Sequence, residues 1–300
     1  MFRLSLVKFI EDIWYRPKSY HYILIIFLFP ISLVYMFLMY IRRLVAKKER
    51  FCVPIISIGN LIVGGSGKSP FIIEVASRYR DVAIISRGYG RKSRGTIVIQ
   101  KDTNVEISGD EALMIANSLP NVIMIVSEDR KTGIREAIKL GAKIIFLDDG
   151  FNRVDIDKLD IILQPKSIKN FLTLPAGAFR EYYKTPSDIK LMEDTDYKRV
   201  VTIDNPTSSM ILITAIANPS RLDKFLPKEV EKKVYFQDHQ FFDKDEILNL
   251  SQNYKSILVT SKDLVKLDGL DINISIMRLK MNINIEVLDK IDNYIIDYKE

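Results

Sequence analysis

The run Gly64-Gly65-Ser66-Gly67-Lys68-Ser69-Pro70 puts three glycines, one lysine and a serine hydroxyl ahead of a helical pattern. Glycines let successive backbone N–H groups turn inward around an anion without side-chain obstruction, and a helix N-terminus adds its positive dipole end. Gly64, Gly65, Ser66, Gly67, Lys68 and Ser69 are therefore the candidate cradle for nucleotide phosphates. Lys68 reaches toward the β- and γ-phosphates and the Ser69 hydroxyl toward Mg²⁺. The usual G-x-x-x-x-G-K-[ST] spacing puts its first glycine at position 62, where Ile62 stands. The Gly-Lys-Ser core survives, with a strand pattern before it and a helix pattern after it. A second chemical element is the apolar run from Lys143 to Leu147, which ends in Asp148-Asp149-Gly150-Phe151. Such a strand delivers carboxylates to the sheet edge, where hard Mg²⁺ takes oxygen ligands. Adjacent residues on an extended chain point opposite ways, so one Asp faces the metal and the other the loop or a water.

Both elements need a sheet to bring them together. After Arg50 the chain runs as short β-branched stretches, at 53–58, 82–86, 96–99, 122–126, 143–147 and 160–163. Helical patterns at 68–79, 110–118 and 131–140 separate them. Strands alternating with helices predict a parallel, doubly wound α/β sheet with helices on both faces and ligands beyond the carboxyl ends of the strands. Further strands at 210–215, 234–236, 256–260 and 272–277, with helices around 221–226 and 244–254, predict a smaller second α/β unit. The expected organisation is a membrane-anchoring segment at 1–45, a phosphate-loop domain at 46–190, a polar linker at 191–209 and a C-terminal domain at 210–300.

The anchoring segment is Tyr20 to Tyr40, which no Lys, Arg, Asp or Glu interrupts. As a helix its about 21 residues rise roughly 31 Å, the thickness of a hydrocarbon core. Pro30 predicts a kink, or two helices meeting at an angle. Basic residues flank both sides, so the segment reads as a span, as an apolar hairpin lying in one leaflet, or as a buried core helix. The stretch 4–15, with Trp14 and Tyr15, is expected to lie along the surface. Hydrophobic residues make up 47% of the 300 and charged residues 27%, which excludes global disorder. The net charge of +6 suits an anionic partner without choosing one. A single cysteine, Cys52, rules out an internal disulfide, and two histidines make a His/Cys zinc site improbable.

Other short strings accompany these two elements in a fixed order. They are Gly59-Asn60, Ser86-Arg87-Gly88-Tyr89-Gly90, Gly109-Asp110-Glu111-Ala112, Leu174-Pro175-Ala176-Gly177, Arg180-Glu181, Asp238-His239 before Phe241, and Thr260-Ser261-Lys262-Asp263. The set, with the apolar segment in front, resembles the tetraacyldisaccharide 4'-kinase family from about residue 12 to about residue 270. Three positions depart from the family pattern: Asn152 stands where Gln is common, Ser261 where Glu is common, and Ser69 where Thr is usual. The resemblance implies a P-loop kinase fold with a membrane helix, using ATP and Mg²⁺. The implied acceptor is the 4'-hydroxyl of an acylated glucosamine disaccharide 1-phosphate, at the cytoplasmic face of the inner membrane. It also implies that Asp110 is the catalytic base and His239 its partner, with Asp238 alongside. A sugar hydroxyl is a poor nucleophile and needs its proton near an acceptor, which a carboxylate–imidazole pair provides. Asp148, Asp149 and Glu111 are then candidates for Mg²⁺ or its waters. Arg180 and Glu181 are expected near donor and acceptor, and Arg87 and Arg130 at phosphates. The expected partners are the lipid acceptor and membrane lipid, without nucleic acid, and the expected state is a monomer. The rival readings are a P-loop kinase with a different acceptor and a membrane-tethered ATPase or nucleotide switch with none.

Overall fold

The computed structural model describes residues 9–298, apart from residue 11, residues 64–66, residues 166–167 and residue 268. Gly64, Gly65 and Ser66 of the expected cradle therefore lie outside the described residues, as do residues 4–8 and 11 of the stretch 4–15.

The first sheet has seven strands: β1 (Ile55–Gly59), β2 (Val82–Ser86), β3 (Ile97–Val98), β4 (Ile123–Val126), β5 (Ile144–Asp148), β6 (Leu159–Gln164) and β7 (Ile189–Met192). Their order is β3-β4-β2-β5-β1-β6-β7, and all pairs are parallel except β3 with β4. Buried on both faces, the central strands are mostly apolar, rich in Ile, with no alternation of burial. Helices α2 (Lys68–Ala76) and α4 (Asp110–Ser118) cover one face, where Phe71, Ile72, Val75 and Ile115 pack on Ile56, Ile58, Ile84 and Phe146. Helix α5 (Arg130–Lys139) covers the other with Ile134 and Ala137 against Ile55, Ile85 and Ile145. A one-turn helix α3 (Val105–Ser108) leads into α4. The doubly wound expectation holds.

The second sheet has five strands: β8 (Tyr197–Asp204), β9 (Met210–Thr214), β10 (Val230–Tyr235), β11 (Ser256–Thr260) and β12 (Ile274–Ile283), in the order β10-β9-β11-β12-β8. Here α6 (Lys244–Ser251) packs Ile247 onto Ile211, Ile213 and Ile257, and the short α7 (Ser261–Leu264) follows β11 directly. Two sequence expectations need correction. The presumed linker at 191–209 contains β8, which runs antiparallel to β12 over eight registered pairs. Its alternate residues are exposed, so it reads as polar. The chain also ends in a helix, α8 (Ile285–Asp297), that returns to the first sheet. Val287 and Ile291 are buried there with α2 and β1, and the Tyr294 hydroxyl donates to the Ile55 carbonyl at 3.2 Å. Tyr197, Met281 and Ile283 of the second sheet belong to the same core cluster. The ranges 46–190 and 210–300 therefore do not delimit separate cores.

Residues His21–Val45 form one continuous helix, α1, with Pro30 inside it. Of the readings the sequence left open, the single helix is the one present, in place of a hairpin or a helix pair. It is long and apolar enough to cross a membrane, and 11% of its most apolar window is buried. Ile23, Ile26, Phe27, Val34 and Phe37 stand exposed. One face is instead fastened to the protein. The buried Ser32 hydroxyl donates to the Thr173 carbonyl at 2.9 Å and accepts from the Ala176 N–H at 3.0 Å. The Thr173 hydroxyl returns a bond to the Ser32 carbonyl at 2.9 Å.

Candidate active site

The sheet register does the first work. Because β5 lies between β1 and β2, Ile58 pairs with Asp148, just before Gly59-Asn60 and the phosphate loop. The chain then turns at Asp149 with φ +54°, and Gly150 and Gly59 make room for the turn. A Cβ at Gly59 would fall 2.7 Å from the Phe151 Cβ, and one at Gly150 2.6 Å from the Leu147 Cβ. Gly67 has φ +80°, the left-handed conformation glycine adopts without strain, and Lys68 begins α2 immediately after it.

Lys68 sits between Asn60 and Asp149, its Nζ 3.3 Å from the Asn60 Oδ1 and 3.5 Å from the Asp149 Oδ1. Arg180 donates to the other Asp149 oxygen at 2.9 Å. Burial would raise the Asp149 carboxyl, but Lys68 and Arg180 outweigh it and hold it below the ordinary value. Asp148 behaves oppositely. Its own burial and then the Glu111 charge push it up to about 7, against Lys68. Its Oδ2 accepts from the Ser86 hydroxyl at 3.2 Å, while the buried Oδ1 has no hydrogen-bond partner. An orphaned carboxylate oxygen at the end of a strand suits a cation that prefers hard oxygen donors. Among the described residues no three or more His, Cys, Asp and Glu side chains converge as a metal cage. That is compatible with Mg²⁺, which typically takes one or two carboxylates and completes its shell with waters and phosphate.

A second cluster forms where the two sheets meet. Asp110 is the buried first residue of α4, and His239 arrives from the segment after β10 with φ +60°. The His239 Nδ1 lies 2.9 and 3.1 Å from the two Asp110 oxygens. Burial would raise the Asp110 carboxyl, yet the bond from His239 and the charges of Lys262 and Lys266 hold it at about 2. An ionised carboxylate only accepts, so His239 carries its proton on Nδ1. The His239 Nε2 lies 3.3 Å from the Lys262 Nζ. The Lys262 Nζ also lies 3.1 Å from Glu111 and 3.7 Å from Asp238, and the Lys266 Nζ lies 3.2 Å from Asp110. Tyr89 packs on the imidazole with ring centroids 4.7 Å apart. Asp263, fully buried, accepts from Thr214, Thr260, the Ala215 N–H and Lys266, which fixes the loop that presents Lys262.

The structure thus gathers Lys68, Asp148, Asp149 and Arg180 on one side and Asp110, Glu111 and His239 on the other. Glu111 is close enough for its charge to act on Asp148. Three candidates stand differently from the rest. Arg87 is exposed just beyond β2. Arg130 is buried, donating to the Ser127 carbonyl and, at 3.4 Å, to the Asp148 carbonyl, and burial lowers it to about 10. That placement braces the end of β5 and does not offer a free phosphate contact. Glu181 is buried in an ion pair with Arg43 of α1. Sequence reasoning assigned no role to Lys262, Lys266 or Asn60, although Lys262 and Asn60 lie in strings it singled out.

The family model described as tetraacyldisaccharide-1-P 4'-kinase matches residues 24–199 and 190–296. The tetraacyldisaccharide 4'-kinase of Helicobacter pylori (strain HPAG1) is 47% identical over 97% of this chain and 96% of its own. That of Aliarcobacter butzleri is 43% identical over 97% and 98%, and that of Campylobacter jejuni (strain 81-176) is 35% identical over 97% of each. The crystal structure of LpxK from Aquifex aeolicus in complex with ATP superposes with a TM-score of 0.72 at 26% identity, covering 91% of this chain and 99% of that one. With matches of this length and identity, the chain belongs to the tetraacyldisaccharide-1-P 4'-kinase family.

Proposed function

We propose that this protein transfers the γ-phosphoryl group of ATP to the 4'-hydroxyl of an acylated glucosamine disaccharide 1-phosphate, a step of lipid A biosynthesis. The observation that carries the mechanism is the Asp110–His239 pair, 2.9 Å apart and set across from the Lys68–Asp149–Arg180 cluster. A carboxylate–imidazole pair of this kind can take the proton of an acceptor hydroxyl. In phosphoryl transfer the protein chiefly positions reactants and stabilises charge. Lys68, at the head of α2, neutralises the transferring phosphates. Arg180 presents its planar fork to the same oxygens once Asp149 turns to other partners. The acceptor hydroxyl approaches Asp110, which takes its proton as the hydroxyl oxygen bonds to the γ-phosphorus and the bond from that phosphorus to the β,γ-bridging oxygen breaks, releasing ADP. His239 holds that carboxylate in place, and Lys262 and Lys266 keep it ionised until then. Ser69, Asp148 and Asp149, with Glu111, would hold Mg²⁺, which when bound offsets charge on the β- and γ-phosphates.

Support for a lipid acceptor comes from the apolar face of α1 and a groove beside it. The groove, of about 1240 Å³, is lined by Phe37, Tyr40, Leu44, Glu181, Tyr182 and Tyr298, and suits acyl chains. The ATP requirement favours catalytic domains on the cytoplasmic face of an inner membrane, with α1 in the lipid. One chain supplies both charged clusters, which favours a monomer. The test is incubation of the purified protein with Mg-ATP and the acylated disaccharide 1-phosphate, followed by mass spectrometry. One added phosphate on the disaccharide is expected. Steady ATP hydrolysis with no phosphorylated lipid would favour the tethered ATPase.

A further inference from the structure

The Asp149–Arg180 ion pair is made by two loops, and α1 holds both. Arg43, in the last turn of the helix, pairs through its Nε with the buried Glu181 carboxylate, the residue next to Arg180. Its guanidinium lies over the Phe151 ring at 4.3 Å, and its Nη2 is 3.5 Å from the Phe151 carbonyl, two residues after Asp149. Arg42 donates to the next carbonyl, that of Asn152. Further along the helix, the Tyr35 hydroxyl donates to the carbonyl of Arg180 itself at 2.8 Å. The Phe151 side chain is in turn buried against Gly59, where a Cβ would fall 2.7 Å from its own. A planar cation that stacks on one loop and pairs with the other fixes their separation in a way a flexible ammonium does not.

We propose that Arg43 is a positioning residue for the phosphoryl transfer: by joining Phe151 to Glu181 it sets the spacing of Asp149 and Arg180, so the seating of α1 is transmitted to the catalytic centre. The inference rests on the kinase reading above. It gives α1 a role beyond anchoring, since displacement of the helix would pull the 148–152 turn and the 173–181 segment apart. Arg43 pairs with Glu181, and neither is paired with Lys68 or Asp110, so the loss is expected to fall on kcat more than on the KM for Mg-ATP.

The experiment compares full-length wild type, Arg43→Ala, Arg43→Lys, Glu181→Ala and the Arg43→Ala/Glu181→Ala double variant, each in detergent–phospholipid micelles with Mg-ATP and the acylated disaccharide 1-phosphate. Wild type must form phosphorylated lipid; if it does not, the kinase reading itself fails. Given that product, R43A is expected to lower kcat by about 10- to 100-fold with the KM for Mg-ATP within about threefold and an unchanged melting temperature. R43K, which keeps the charge without the stacking plane, is expected to recover part of kcat. The double variant is expected to be no worse than the poorer single one, because both cut the same tie. Wild-type kcat in a folded R43A would overturn the proposal. So would a defect confined to the KM for the lipid, which would make Arg43 a contact for the acceptor. If R43A melts early, the R43K and E181A variants carry the same kcat comparison, and unchanged turnover in both would overturn it equally.

Discussion

Asp110 shows how a single carboxyl is tuned by what surrounds it. Its burial works against ionisation, while His239, Lys262 and Lys266 work for it, and the cations win. The folded value of about 2 lies below the unfolded 3.8, so the pair stabilises the fold fully above the unfolded value and the contribution disappears as pH falls through about 2. A shift of that size corresponds to about 2 kcal/mol. Urea denaturation between pH 5 and 2 is expected to lose this increment in wild type and to show a flatter acid limb in Asp110→Asn; equal slopes would refute the depressed carboxyl. On activity, Asp110→Ala and Lys68→Ala are each expected to remove most turnover with the fold intact. His239→Ala is expected to lower kcat by about 10²- to 10⁴-fold, far more than it raises the KM for ATP. A pure loss of ATP affinity in His239→Ala would take the histidine out of the proton-handling pair.

At the scale of elements, the turn that carries Arg180 depends on one glycine. A Cβ at Gly177 would stand 2.2 Å from the Leu172 carbonyl oxygen and 2.9 Å from the Asn170 Oδ1, so the turn cannot accept even a methyl without moving backbone. Gly177→Ala is expected to cost about 1–3 kcal/mol, seen as a lower melting temperature, and to reduce turnover because the Ser32–Thr173 docking shifts with it. A wild-type melting temperature and rate would show that the turn yields freely. The central strands were legible because a strand buried on both faces is apolar without alternation, and β1, β2 and β5 are mostly so. The Gly-Lys-Ser core and the paired aspartates were legible because phosphate and Mg²⁺ demand those residue types at a strand's end. Strand β8 was not, because only every other residue is covered and the rest, such as Lys198 and Val200, face solvent. Helix α8 did carry the signal of Val287, Leu288, Ile291, Tyr294 and Ile295 at helical spacing, but no local feature says which sheet it covers. Pairing Asp110 with His239, 129 residues apart, is a property of the whole fold that only the ordered motif set could suggest.

Considered as a whole, the molecule binds its two sheets together by both charge and packing. Lys262 and Lys266 of the second unit pair with Glu111 and Asp110 of the first. Helix α8 goes further, since it leaves β12 and buries Val287 and Ile291 against the strand and helix that flank the phosphate loop. The outer side of α8 is held by Asp292, which accepts from Tyr79 and, at 3.2 Å, from Arg78. Unfolding the second unit would therefore strip apolar cover from the first, at roughly 1.5–3 kcal/mol for each large side chain exposed. The two halves are expected to melt as one. Calorimetry of the purified protein should show a single transition. Ile291→Asp places an unpaired carboxylate in that shared core, at a cost of about 3–5 kcal/mol. The transition should then move down by about 5–15 °C without splitting, and ATP binding should be lost along the same curve. Two resolved transitions, with only the upper one responding to ATP, would mean that the sheets fold independently and that α8 rests on the first sheet without supporting it.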